Sequence, residues 1–586
     1  MTVIPRLARL PLATLISTLG LSTGAFAAVD NPADTIFYGG PILTMDDTYP
    51  DVEAVAVDDG IIVGVGTRTM LEADFRGPDS QLRNLNGRTL IPGFVDAHSH
   101  LSFVGVQAVS ANLLPAPDGP GNSIAAIQQA LRQYLASSTR AQDYGVLIGF
   151  NYDDSQLLEQ RHPTRAELDA VSTSIPIMTI HQSGHLGVYN SKALEVLGIN
   201  ASTPNPEGGT IYREEDGVTP NGLMAENAHI AALIKLLPKF TPQQSLDMLM
   251  QAQQIYLANG FTTIQDGRTS PQTLQGLAQA AKAGYFKADV VAYPDLVANL
   301  QDPMLDGPLM SRNYTDHFRI GGVKLTFDGS PQGKTAWFTH PYFQPPEHES
   351  EGYSGHPLFA DDAQARRLME LAYTNGWQVM VHANGDAAID QLIRLTDAVQ
   401  REIPEISDRR TVLIHGQYLR ADQIPQLATL GIFPSLYPMH TFYWGDWHRD
   451  SVAGPERARF ISPTGAVYRS GMKFSIHSDA PVTFPNSMRI LQSATNRVTR
   501  SNLILGPEER LDALTALKAM TIWPAYQHFE ENSKGSIEKG KVADLVVLSH
   551  NPVTLQREQL LGVKVLETIK GGTTVYQAEA QQPASQ

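Results

Sequence analysis

For roughly 400 residues the chain alternates amphipathic helices with short apolar strands, and few architectures accept that rhythm. The segment SIAAIQQALRQYLAS places Ile124, Ile127, Leu131 and Leu135 on one helical stripe. DDAQARRLMELAYTNG reads as a helix with a Gly stop, and the strand WQVMVHANGD follows it directly. DRRTVLIHGQYL, ADQIPQLATLGIFPSLY and YRSGMKFSIHSDAP continue the alternation. Repeated units of this kind build an α/β parallel sheet, and a (β/α)8 TIM barrel over residues 91–534 fits better than an open sheet. No G-x-G-x-x-G opens a helix after the first strand, which counts against a dinucleotide-binding fold.

Both ends have a different texture. DTIFYGGPILTMDD and VEAVAVDDGIIVGVGT near the start, and GSIEKGKVADLVVLSHNP and VLETIKGGTTVYQ near the end, read as short strands with Gly and Asp turns. They predict one small composite β-sandwich domain assembled from residues 34–90 and 535–580. Ahead of it, Arg6 and Arg9 precede an apolar stretch from Leu10 to Leu21 that closes on Ala25-Phe26-Ala27. That order reads as a signal peptide over residues 1–27 and a periplasmic or secreted product. The other reading, a membrane anchor, needs a longer apolar run, so no membrane span is expected after cleavage.

The net charge of −16 makes nucleic acid an unexpected partner. The absence of cysteine excludes disulfides and thiolate ligands, so any metal must be held by nitrogen and oxygen. Such donors recur at strand ends. LIPGFVDAHSHL ends a strand with His98 and His100, and residues i and i+2 share a face. His-x-His alone is weak, arising by chance about 0.5 times in a chain of this histidine content. However, Lys324 lies in FRIGGVKLTFDGS, His382 in WQVMVHANGD, His415 in TVLIHG and Asp479 in MKFSIHSDAP. In a barrel the C-terminal strand ends build the active site. Together these residues form a nitrogen and oxygen site that zinc or manganese would accept.

IPGFVDAHSH, the two strand-end histidines, HSDAP and GSIEKGKVADLVVL resemble the amidohydrolase superfamily. GHLGVYNSKALEVLGI, TPNPEGGTIYREEDGVTPNGLMAENA and VKLTFDGS are similar to its YtcJ-like, or amidohydrolase-3, branch. The resemblance implies a metal-dependent hydrolase of non-peptide carbon–nitrogen bonds in a small or N-substituted molecule. It implies that His98, His100, Lys324, His382, His415 and Asp479 bind one or two divalent ions per chain, with zinc the expected metal. Lys324 stands where binuclear members carry a carboxylated lysine. The alternatives are a Lys324 paired with Asp328, and a single ion on His98, His100, His382 and Asp479. Asp479 would also shuttle the proton.

His181 and His185 in TIHQSGHLGVYNSKAL, and Trp337 in GKTAWFTHPYF, are candidate substrate-binding residues; a hydrogen-bonded loop or simple packing is the other reading. Tyr437, His440 and Trp444 are expected on a loop after a strand, and Asp266 beside the site. The partner is a small-molecule substrate, with a homo-oligomer left open. Two rival functions remain: a ring-amine deaminase, and an inactive binding protein. The deaminases of the superfamily carry Glu three residues after the fifth-strand His, where this chain has Gly385.

Overall fold

The computed structural model describes Met1 and residues 31–579, apart from 207, 347–348 and 404–407. The expected signal peptide therefore lies outside the described residues, Met1 excepted. Eight parallel strands form the barrel: β1 (Phe94–Val95), β2 (Phe261–Thr269), β3 (Asp289–Pro294), β4 (Phe318–Ile320 and Gly322–Thr326), β5 (Gln378–Ala383), β6 (Val412–His415), β7 (Phe433–Leu436) and β8 (Ser475–Ile476). Each pairs in parallel with the next, from β1 to β8. Segment 519–520 lies between β8 and β1: Ile476 N–H bonds the Ala519 carbonyl, and Val95 N–H bonds that of Met520. At the C-terminal end β1 and β8 meet directly, through Asp479 N–H on the His98 carbonyl at 3.2 Å and His100 N–H on that of Ala480 at 2.7 Å. Helices Asp362–Thr374 and Asp386–Glu402 cover β5 because each buries one stripe, Leu368, Met369, Ala372 from the first and Ile389, Leu392, Val399 from the second.

The terminal segments make two four-stranded sheets. One holds Thr35–Tyr38, Ala54–Asp58, Ile61–Gly66 and Gln81–Asn84; the other joins Thr89–Pro92 to Leu545–Leu548, Val565–Lys570 and Thr573–Gln577. Phe37, Val55, Val57, Leu90, Leu545, Val547 and Ile569 share one core between them. Burial of that alternating apolar face couples the first strands of the chain to the last.

A further element was not separated from the barrel by sequence. Between β1 and β2 lies a mixed six-stranded sheet running Gly209–Arg213, Pro220–Glu226, Leu186–Tyr189, Ile177–His181, Leu147–Tyr152, Ala111–Asn112. It has its own cores on its two faces, around Leu113, Ile127 and Leu168 on one and Met178, Leu194 and Met224 on the other. Its central strands are buried throughout, so their sequences run apolar without alternation and look like barrel strands. This subdomain reaches the mouth of the barrel through Gln182 Nε2, which donates to the Val482 carbonyl at 2.7 Å.

Candidate metal centre

Three side chains converge at the junction of β1 and β8. His98 Nε2 and His100 Nε2 stand 3.4 and 3.2 Å from Asp479 Oδ1. The opposite ring nitrogens fix the tautomers. His98 Nδ1 faces Gln265 Oε1 at 2.6 Å, and the Gln265 amide is oriented by its own Nε2 donating to the Ala97 carbonyl. His100 Nδ1 faces the Gly267 carbonyl at 2.7 Å. Both partners can only accept, so each Nδ1 carries the proton and each Nε2 a lone pair. Asp479 Oδ1 is buried and receives no hydrogen bond from the described residues. Three lone-pair atoms therefore face one another, an arrangement that a cation relieves. A divalent ion fits this donor set.

His382 and His415, from the ends of β5 and β6, repeat the pattern. His382 Nδ1 and His415 Nε2 are 3.0 Å apart. His382 Nε2 lies 3.0 Å from Asn384 Nδ2 and 3.2 Å from the Gly329 carbonyl. His415 Nδ1 lies 3.2 Å from His477 Nε2, and His477 Nδ1 is 2.9 Å from Ser435 Oγ. Lys324 of β4 comes between the two groups, with Nζ 3.1 Å from His98 Nε2 and its side chain buried.

The electrostatics favour neutral ligands. Burial, then the charge of Lys324, holds His98 and His382 well below the usual imidazole value. Burial and the neighbouring His382 do the same to His415. Lys324 itself is lowered to about 7 by burial. Asp328 is no partner of Lys324: it accepts from the backbone N–H groups of Trp337, Asn384 and Gly385 at 3.0, 2.9 and 2.8 Å, tying the loops after β4 and β5 together. Burial raises it to about 7. His415 and Asp479 both take left-handed backbone, φ 76° and 54°. That conformation is uncommon for residues with a Cβ, and here it turns each strand end towards the centre.

The remaining candidates fall elsewhere. His181 is in the inserted subdomain, with Nε2 3.0 Å from Asp154 Oδ1 and 3.8 Å from Asp153 Oδ1. Burial opposes its charge, but hydrogen bonds with Asp153 and Asp154 outweigh that and raise it to about 9. Its ligand atom and those of Asp153 and Asp154 lie within 4.8 Å of one another, a second group of donors close enough to hold a cation. His185 is nearer the centre, its ring 6.2 Å from that of His382 and its Nδ1 2.9 Å from Glu226 Oε2. Trp337 is partly buried against the main core. Tyr437 stacks on His477 at 5.0 Å, while His440 and Trp444 lie buried on helix Met439–Trp447 rather than on a loop. Asp266 supports the His-x-His turn by accepting from Ser102 N–H at 2.8 Å.

Sequence reasoning missed Gln265, the Gly267 carbonyl, Ser435 and His477, which orient the rings. Only His477 carried a signal, its place in the HSDAP run. Gly267 is needed for closeness, since a Cβ there would stand 2.7 Å from His98 Cε1.

A model of the Amidohydrolase family matches residues 81–576. An N-substituted formamide deformylase from Arthrobacter pascens is 28% identical over 558 residues, covering 93% of this chain and 98% of that protein. The YtcJ protein of Bacillus subtilis is 27% identical over 557 residues, covering 92% and 99%. The crystal structure of an uncharacterized metal-dependent hydrolase from Pyrococcus horikoshii shares the fold, with a TM-score of 0.70 at 22% identity over 89% of this chain and 99% of that one. The barrel and the imidazoles converging at its strand ends accord with that match, and the chain belongs to the Amidohydrolase family.

Proposed function

We propose that this hydrolase cleaves a non-peptide carbon–nitrogen bond, the amide of a small or N-substituted molecule. The observation that carries the reading is the convergence of His98, His100 and Asp479 beside His382 and His415, with Lys324 against His98. Those residues would hold one or two divalent ions, zinc in the first instance. A cation bound there supplies Lewis acidity towards the carbonyl oxygen and lowers the pKa of water towards ~7. Asp479 takes the proton of the attacking water and returns it to the leaving nitrogen. Gln265 and the Gly267 carbonyl hold the His98 and His100 rings so that their lone pairs face inward, and His477 positions the His415 ring.

Steric fit separates this reading from deamination. A Cβ on Gly385 would stand 1.9 Å from the Trp337 carbonyl oxygen, so no side chain, glutamate included, fits three places after His382. The formamide deformylase supports an amide over other carbon–nitrogen substrates. Metal analysis combined with hydrolysis of an amide panel tests the proposal; stoichiometric zinc with no turnover of any amide would leave a binding protein.

We also propose export, with the mature chain starting at or near Ala28 and acting as a periplasmic or secreted enzyme. Among the described residues no helix is long and apolar enough to cross a membrane. N-terminal sequencing of the native protein decides it, and an intact Met1 on cytosolic protein would sink it.

A further inference from the structure

The inserted subdomain brings two residues to the barrel mouth that the chemistry above does not use. The turn after strand Ile177–His181 carries His185, and strand Pro220–Glu226 ends on Glu226. Glu226 N–H donates to the His185 carbonyl at 2.8 Å, and Glu226 Oε2 lies 2.9 Å from His185 Nδ1. His185 N–H is anchored on Ser183 Oγ at 3.1 Å, and that hydroxyl is in turn 2.8 Å from His181 Nδ1. The ion-pair network of the subdomain thus holds the turn. Glu226 sits at φ 50°, ψ −127°, a strained backbone for a residue with a Cβ, which the surrounding structure must impose. Both side chains are mostly buried, and the His185 ring stands 6.2 Å from that of the metal-centre residue His382.

The tautomer follows from the partner. Burial opposes the charge of Glu226, but His185 and Arg268 outweigh it and keep the carboxyl ionised. A carboxylate only accepts, so Nδ1 carries a proton, and in the neutral ring Nε2 presents a lone pair. Nε2 has no hydrogen-bond partner among the described residues. It will take an N–H or O–H and repel a carbonyl or carboxylate oxygen. We propose that His185, oriented by Glu226, is a substrate-positioning residue that accepts the N–H of a scissile secondary amide, so that the enzyme selects R–CO–NH–R′ over N,N-disubstituted amides. The substrate class rests on the carbon–nitrogen reading above.

The test compares an N-alkyl amide with its N-methylated counterpart on zinc-loaded enzyme. Wild type should favour the N–H member by about 100-fold or more in kcat/KM, since a site built to bond a group rejects the analogue lacking it. His185→Phe should cut that preference to within about fivefold, mostly through KM. Glu226→Leu should behave like it, while Glu226→Gln keeps an acceptor oxygen and should retain most of the preference. Zinc content should be equal in all four proteins. A wild type that handles both members alike, or an undiminished preference in His185→Phe, overturns the proposal. If wild type turns over no amide, the function reading fails, and the dyad is read by calorimetric binding of the same pairs. N–H binding at least about tenfold tighter in wild type only would support it; equal affinities or no binding would overturn it.

Discussion

His382 Nδ1 and His415 Nε2 lie 3.0 Å apart, while their other ring nitrogens are tied to the Gly329 carbonyl and Asn384 on one side and to His477 on the other. A divalent ion that takes these nitrogens as ligands binds the folded chain and not the unfolded one. Saturating the protein with zinc should therefore raise Tm by at least a few degrees, and a chelator should reverse it. Binding at about 1,000 times Kd is worth about 4 kcal/mol. Scanning calorimetry of apo and loaded protein checks this; identical transitions would remove the cation from the site.

Asp479→Asn keeps the size of the side chain but replaces one ligand oxygen and the proton acceptor. Amide hydrolysis should fall by about 10²-fold or more, the usual worth of acid–base catalysis. The fold should persist, because Asp479 holds the barrel through its backbone N–H on the His98 carbonyl. Steady-state rates beside a circular dichroism melt measure both. Near-normal turnover would assign the proton transfer elsewhere.

Gly385→Ala would place a methyl group 1.9 Å from the Trp337 carbonyl oxygen, a clash with backbone that cannot rotate away. The variant should lose about 1–3 kcal/mol in urea titration, as overpacked sites do. Gly385→Glu should be less stable still and gain no deaminase activity. A stable glutamate variant that releases ammonia from ring amines would revive the deaminase reading.

The strand-end polar residues were legible because each interrupts an apolar run at a point where a buried strand has no structural use for it. His98, His100, Lys324, His382, His415 and Asp479 all read this way, and the fold brings their side chains into one cluster. Their orienting partners were not legible. Gln265 looks like any residue of TTIQDG, and Gly267 contributes a carbonyl, which no side-chain pattern records. The six-stranded subdomain was hidden because strands Leu147–Tyr152 and Ile177–His181 are buried on both faces and mimic barrel strands. Glu226 went unread for a similar reason: its role depends on a strained backbone and on His185, 41 residues earlier.

Acid sensitivity should originate at the bottom of the barrel. Arg319 of β4 donates to Glu530 at 2.7 Å, and Lys534 stands 3.1 Å from its other oxygen, all buried. Burial opposes the Glu530 carboxylate, but Lys534 and Arg319 outweigh it and lower its pKa from 4.5 to about 2. A depressed carboxyl stabilises the fold fully above its unfolded value and loses that stability as pH falls through the folded value. The window is therefore about pH 4.5 down to 2, and the contribution is about 3 kcal/mol. Glu530→Gln should be less stable at pH 7 and show a flatter loss of Tm across that window. Parallel acid limbs in the two proteins would place the sensitivity elsewhere.

Lys324 sits 3.1 Å from His98 Nε2, the lone pair that the ligand role requires. As an amine it donates a proton into that lone pair and competes with any cation. As an ammonium it would also stand beside the ion as a like charge. Reaction with carbon dioxide removes both conflicts: the amine nitrogen bonds the carbon, one proton leaves, and a carbamate with two oxygens takes the place of the donor. Burial favours the neutral amine from which that reaction starts. We expect native protein to carry a carboxylated Lys324 between two ions, the first on His98, His100 and Asp479 and the second on His382 and His415. Metal analysis should give two ions per chain. Lys324→Ala should lose metal and activity, and a short carboxylic acid should restore part of both by lending the missing oxygens. One ion per fully active chain, with unmodified Lys324 in a native crystal structure, would leave a mononuclear site and return Lys324 to the role of a hydrogen-bond donor to His98.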